Sequence, residues 1–151
     1  MERILAVDGG WRASTNIGAW AFIVEQEIRM SDSGAVKNTT NQKMELKAII
    51  EALKYCKENF KDDNIVILSD SAYCVNGMNQ RWYDKWILNR WTNSKGQPVK
   101  NQELWKELIE LDKQLNVTYS KVLGHSGDEL NELADAEVNR AMDEWEYDNG
   151  Y

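Results

Sequence analysis

Four acids, Asp8, Glu45, Asp70 and Asp135, are spread along 151 residues, yet each stands where a fold can carry it to a common point. Asp8 follows the apolar run Ile4-Leu5-Ala6-Val7, and Asp70 follows Ile65-Val66-Ile67-Leu68-Ser69. Both runs read as buried strands that end at the acid, and ligand sites in open α/β sheets collect at the C-terminal strand edge. If these strands are parallel neighbours, both carboxylates emerge together. Glu45 falls early in the helix between them, and Asp135 inside the last helix, where Ala134 and Val138 mark the buried side. Clustered carboxylates repel one another unless a cation sits between them. No group of His and Cys accompanies them, so oxygen ligation of Mg²⁺ or Mn²⁺ is the matching chemistry. Four carboxylates can hold two such ions, an arrangement that activates water and stabilises the leaving oxygen of a phosphodiester. Taken singly, each acid is equally explained as a turn former or helix cap.

His125, the only histidine, lies between Gly124 and Gly127. An imidazole there could move protons near neutral pH on a loop free enough to let product leave. The plain alternative is an ordinary exposed loop side chain.

Hydrophobic periodicity supplies the elements that must position these residues. After the first strand, residues 18–24 suit a second, and a turn near Glu25–Glu27 makes a hairpin with 28–36. Thr39-Thr40-Asn41 offers N-cap chemistry before Leu46, Ile49, Ile50 and Leu53, predicting a helix over about 42–59. Beyond the strand at 65–68 come two short helices over 72–80 and 82–91, a polar loop over 92–100 and a helix over 101–115. Val117–Val122 is the last strand and roughly 129–145 the last helix. Helical crossovers imply parallel pairing and the opening hairpin is antiparallel, so the fold class is α/β with a mixed sheet and helices on its faces.

Net charge is −7, which on its face disfavours a polyanion as partner. The acidity is local: residues 128–151 hold nine acids against one base, Arg140. Residues 81–100 are the opposite, with five bases against one acid and Trp82, Trp86 and Trp91 interleaved. Bases mixed with aromatics suit a strand-binding surface, although Trp82 and Trp86 at i, i+4 also suit a helix docked through its rings. Cys56 and Cys74 fit no metal or redox spacing, which points to a reducing, cytoplasmic setting. No apolar stretch approaches a membrane span and no export signal opens the chain, so no membrane partner is expected.

Asp8-Gly9-Gly10, the block Thr39-Thr40-Asn41-Gln42-Lys43-Met44-Glu45-Leu46, Ser69-Asp70-Ser71-Ala72-Tyr73, and His125…Gly127…Asn131-Glu132…Asp135 occur in this order. The chain resembles type I ribonuclease H over nearly all its length. The resemblance implies a ribonuclease H-like fold, a five-stranded mixed sheet with helices on both faces and a handle-like helical protrusion. It implies one domain over 1–151, with 143–151 an acidic C-terminal tail. The implied activity is endonucleolytic cleavage of the RNA strand of RNA–DNA hybrids, leaving 5′-phosphate and 3′-hydroxyl ends. Asp8, Glu45, Asp70 and Asp135 match acids that bind two Mg²⁺ ions, and His125 matches a residue that assists proton transfer or product release. Asn41, Gln42 and Glu45, with the backbone near Gly9 and Gly10, match the RNA-side surface, and Ser71 matches a nucleic-acid contact. Thr40 and Asn76 match positions at the DNA strand, and Trp82 a sugar contact on the handle. The family prior for oligomeric state is monomer.

Three departures bear on specificity. Trp11 and Arg12 occupy what is usually a small Gly- and Pro-rich loop, where they either add a contact or only pack. Ala72 stands where an amide side chain commonly reaches the RNA, and Ile87-Leu88-Asn89 interrupts the basic run of the handle. A catalytically inactive hybrid-binding or protein-interaction domain of the same fold is the alternative reading. A relative with another nucleic-acid substrate is a third. The acids beyond Met142 are expected to point away from the hybrid, so that truncation there leaves cleavage intact.

Overall fold

The computed structural model describes residues 1–122 and 129–151. In chain order the elements are β1 (Glu2–Arg12), β2 (Ile17–Glu25), β3 (Met30–Lys37), α1 (Asn41–Asn59), β4 (Asn64–Ser69), α2 (Ala72–Asn79), α3 (Trp82–Leu88), α4 (Gln102–Lys113), β5 (Asn116–Lys121) and α5 (Glu129–Asp148). They form a five-stranded sheet ordered β3-β2-β1-β4-β5. β1, β2 and β3 pair antiparallel, whereas β1–β4 and β4–β5 pair parallel. The mixed α/β architecture expected from the sequence is the one observed.

Alternation along β1 divides the core into two layers, because successive side chains leave opposite faces of a strand. Leu5 and Val7 share one face with Phe22, Val24, Ile65 and Ile67, and α1 covers them through Leu46, Ile49, Ile50 and Leu53. Trp105 and Leu108 of α4 complete that layer. On the other face α5 lays Leu130 and Ala134 against Ala6 and Ile23, and Val138 and Met142 against Ile17, Ala19 and Ala21. Each fully buried Leu or Ile contributes about 1.5–3 kcal/mol. α1 starts where expected: the Thr40 hydroxyl accepts from the Lys43 amide at 3.2 Å and caps the helix.

Three expectations are corrected. β1 does not end at Asp8 but runs on to Arg12, because Asp8 to Arg12 pair with Ala21 to Ile17 of β2. Trp11 and Arg12 are therefore strand residues rather than loop residues. The helix expected over 82–91 stops at Leu88, since Arg90 and Trp91 take positive φ. The last helix continues to Asp148, so the acids of 143–148 stand on its final turns rather than on a free tail. Trp145 packs beside Val138 and Met142, and Glu146 accepts from Arg12 and Thr15, which holds those turns in place. Among the described residues no helix is long and apolar enough to cross a membrane.

Candidate active site

The parallel ladder between β1 and β4 closes with Ala6 opposite Leu68. Two residues beyond that pair lie Asp8, still held by β2, and Asp70, released from β4 at the mouth of α2. The turn after Asp70 is fixed locally: the buried Ser69 hydroxyl accepts from the Ser71 amide at 3.1 Å, and the Ser71 hydroxyl caps α2 by accepting from Cys74 at 3.2 Å. Glu45 comes from the second turn of α1. Its Oε1 accepts the Gly9 amide at 2.5 Å, a contact open only to glycine, because a Cβ at residue 9 would lie 2.3 Å from the Met44 carbonyl carbon.

Three elements thus bring carboxylate oxygens of Asp8, Glu45 and Asp70 to within 4.8 Å of one another. Asp8 and Glu45 are only 6% and 5% exposed. Burial pushes the Asp8 carboxyl up to about 7; a hydrogen bond with Glu45 opposes the rise, and the charges of Asp70 and Asp135 add to it. Burial, then the charges of Asp8 and Asp70, hold Glu45 well above the ordinary carboxylate range. Among the described residues none of these acids forms an ion pair with Lys or Arg. Such a donor set lacks a cation, and hard oxygen ligands around a shared point fit a divalent one.

Asp135 joins the trio at its edge, in hydrogen-bond reach of Asp8. It is half-buried on α5, lines the same cleft and is close enough to raise the pKa of Asp8, but it lies outside the 4.8 Å set. The cleft, of about 590 Å³, is also lined by Gly9, Gly10, Asn41, Gln42 and Ser71, all expected from the sequence. The Gln42 Oε1 is buried without a hydrogen-bond partner among the described residues. Ala72 lines the same cleft with no polar group to offer. Thr40 faces a second groove, of about 740 Å³, with Asn38, Lys43 and Asn101. Asn76 is half-buried on α2, outside the lining of both clefts. Trp82 is half-buried with its ring against Tyr73, Trp86 and Trp105, so docking through the rings accounts for much of its environment. His125 lies outside the described residues.

Sequence reasoning missed Tyr73, Asn139 and Met142, which line the cleft, and took Arg12 for a loop residue. Arg12 was recoverable in principle: it shares the parity of Asp8 on a strand that continues through Gly9 and Gly10.

Buried carboxylates gathered where two parallel strands of a mixed α/β sheet part form a site that could hold a metal ion, on the fold of a nuclease. The RNase H family model matches residues 2–143, and the chain belongs to that family of endoribonucleases. It is 44% identical over 142 residues to a ribonuclease H of Caldicellulosiruptor saccharolyticus, across 93% of this chain and 95% of that one. Among solved structures it is similar to LC9-RNase H1, a type 1 RNase H with the type 2 active-site motif. That match has a TM-score of 0.80 and 26% identity, and covers 93% of this chain and 71% of the other. The fold is also shared with a foamy viral protease-reverse transcriptase solved in complex with RNA/DNA hybrid. There the TM-score is 0.78 at 19% identity, over 92% of this chain and 20% of that one.

Proposed function

We propose that this protein cleaves the RNA strand of RNA–DNA hybrids endonucleolytically, leaving 5′-phosphate and 3′-hydroxyl ends. The observation that carries the reading is the convergence of Asp8, Glu45 and Asp70 without a cationic partner among the described residues. Those three acids, with Asp135 as the fourth, would hold two Mg²⁺ ions, with Mn²⁺ an acceptable substitute. When bound, such ions supply an activated water and charge stabilisation at the phosphodiester. The protein itself orients: Gly9 fixes Glu45, Ser69 and Ser71 fix the turn carrying Asp70, and β2 fixes Asp8. His125 is assigned a part in proton transfer or in product release.

Selectivity for RNA requires a group that senses the 2′-hydroxyl. Asn41, Gln42 and Glu45, with the backbone at Gly9 and Gly10, are proposed for that side and Ser71 for a further nucleic-acid contact; the Gln42 carbonyl oxygen, unpartnered among the described residues, is an available acceptor. Thr40 and Asn76 are proposed for the DNA strand, with Trp82 against a sugar. The basic residues flanking α3 add a salt-dependent grip on phosphates. The same reading has the protein acting as a monomer in the cytoplasm, in keeping with two buried unpaired thiols.

The test is cleavage of labelled RNA presented as RNA–DNA hybrid, as RNA–RNA duplex and as single strand. Cleavage confined to the hybrid is expected. Equal cleavage of all three would overturn the assigned specificity.

A further inference from the structure

The residues of β1 that face α5 meet it in register. Ala6 lies against Leu130 and Ala134, Asp8 is close to Asp135, and a Cβ at Gly10 would meet Val138 and Met142. Arg12 comes next: its Nη1 forms an ion pair with Asp143 at 2.8 Å and donates to Glu146 at 2.5 Å, and its Nη2 donates to Asn139 at 3.3 Å. The second Glu146 oxygen accepts from the Thr15 hydroxyl at 2.7 Å. Both oxygens of Glu146 are thereby held by the hairpin joining β1 to β2.

We infer that Arg12 is a positioning residue for Asp135, fixing the axial register of α5 along β1 and with it the reach of the fourth carboxylate. The inference rests on reading the carboxylate cluster as the metal site. Its physical ground is a contrast between two kinds of contact. The sheet surface under α5 sets the small residues Ala6, Gly10, Ala19 and Ala21 beside Ile17 and Ile23, and apolar contact of this kind is not directional. Directional hydrogen bonds from a planar guanidinium add a defined stop to that apolar contact. Asp8, Glu45 and Asp70 are close without help from α5, whereas Asp135 is outside their 4.8 Å set and depends on where that helix rests. Arg12 also lines the cleft, but its guanidinium is engaged by three acceptors of α5, which leaves it poorly placed to serve as a phosphate contact.

The experiment is calorimetric titration of Mg²⁺ into the full chain and into Arg12→Met, Glu146→Gln, the double variant and Arg12→Lys, with hybrid cleavage followed against Mg²⁺ concentration. Arg140→Met is the control. It removes ion pairs to Glu137 and Glu144 within α5 and the Nη2 hydrogen bond to the Ser33 hydroxyl of β3 at 3.2 Å, but no contact with the hairpin joining β1 to β2. The Mg²⁺ Kd should rise about tenfold in both single variants, the magnitude usual for groups that orient metal ligands. It should rise no further in the double variant, since the two residues act through one contact. Arg12→Lys should recover part of the loss, and Arg140→Met should match the parent. The Mg²⁺ midpoint of cleavage should move in parallel while kcat at saturating Mg²⁺ holds. A lowered Tm with unchanged Mg²⁺ Kd in Arg12→Met would make Arg12 merely structural and overturn the proposal. A raised KM for hybrid alone would make it a substrate contact and overturn it equally. A parent protein that binds Mg²⁺ but leaves hybrid intact contradicts the proposed function only, and the calorimetric comparison still decides the role of Arg12.

Discussion

The Gly9 amide and the Glu45 carboxylate meet at 2.5 Å because strand β1 and helix α1 touch backbone to backbone at that point. A methyl group at residue 9 has no room, so Gly9→Ala must push α1 away and carry Glu45 with it. The expected result is a loss of about 1–3 kcal/mol in unfolding free energy together with weaker Mg²⁺ binding. Gly77→Ala is the comparison. Its Cβ would lie 2.3 Å from the Trp105 ring, away from the acids, so stability should fall with Mg²⁺ binding kept. Denaturant melts and calorimetry on the two variants check both halves.

Burial holds the Asp8 proton up to about pH 7 in the metal-free protein, while the unfolded chain releases it near the ordinary aspartate value of 3.8. Between those values the folded state binds more protons than the unfolded state, so stability falls as pH rises through the window. Metal-free protein should therefore melt lower at pH 8 than at pH 5. Mg²⁺ should raise the Tm more at pH 8, where it need not displace the proton. Asp8→Asn removes the ionisable group and should raise the metal-free Tm at pH 8 while abolishing cleavage. Thermal melts at the two pH values, with and without Mg²⁺, are the measurement.

Much of this site was legible in residue types, and what was not has definite causes. The runs before Asp8 and Asp70 gave both strands, and Thr40 gave the start of α1, since apolar periodicity and N-cap chemistry are local signals. The continuation of β1 through Gly9 and Gly10 was illegible because those glycines read locally as a break. What keeps them in the strand is their pairing with Trp20 and Ala19, a tertiary choice. Arg81, Arg90, Trp91 and Asn101 take positive φ, and three of the four are types that give no warning of it. Those turns decide where α3 ends and where α4 begins.

Truncation is the clearest case where the structure changes an expectation. Deleting residues 143–151 removes Trp145, which covers the small residues of β2, and Glu146, which ties Arg12 and Thr15. That deletion should lower stability by roughly 2 kcal/mol, in line with the loss of a partly buried large apolar side chain. Deleting only 149–151 should have a much smaller effect, since what is lost is the exposed Tyr151 ring stacked on Trp145. Chemical denaturation of the two truncations distinguishes these outcomes.

Cys56 and Cys74 are buried, and burial pushes both thiols up to about 12. Neither should react with a maleimide in the native protein at pH 8, because the thiolate is the nucleophile. Both should react after denaturation, and mass spectrometry of the labelled protein counts them.

Asp70→Asn tests most directly whether Asp8, Glu45 and Asp70 form a metal site that cuts the RNA of a hybrid. Asp70 is half-buried at the end of β4, so the amide should be accommodated without unfolding. The measurement is the rate of cleavage of labelled RNA in an RNA–DNA hybrid by parent and variant, in Mg²⁺ and in EDTA. The parent should cut in Mg²⁺ and not in EDTA, and the folded variant should cut in neither. A folded Asp70→Asn protein that cuts as fast as the parent, or a parent indifferent to EDTA, would contradict the account.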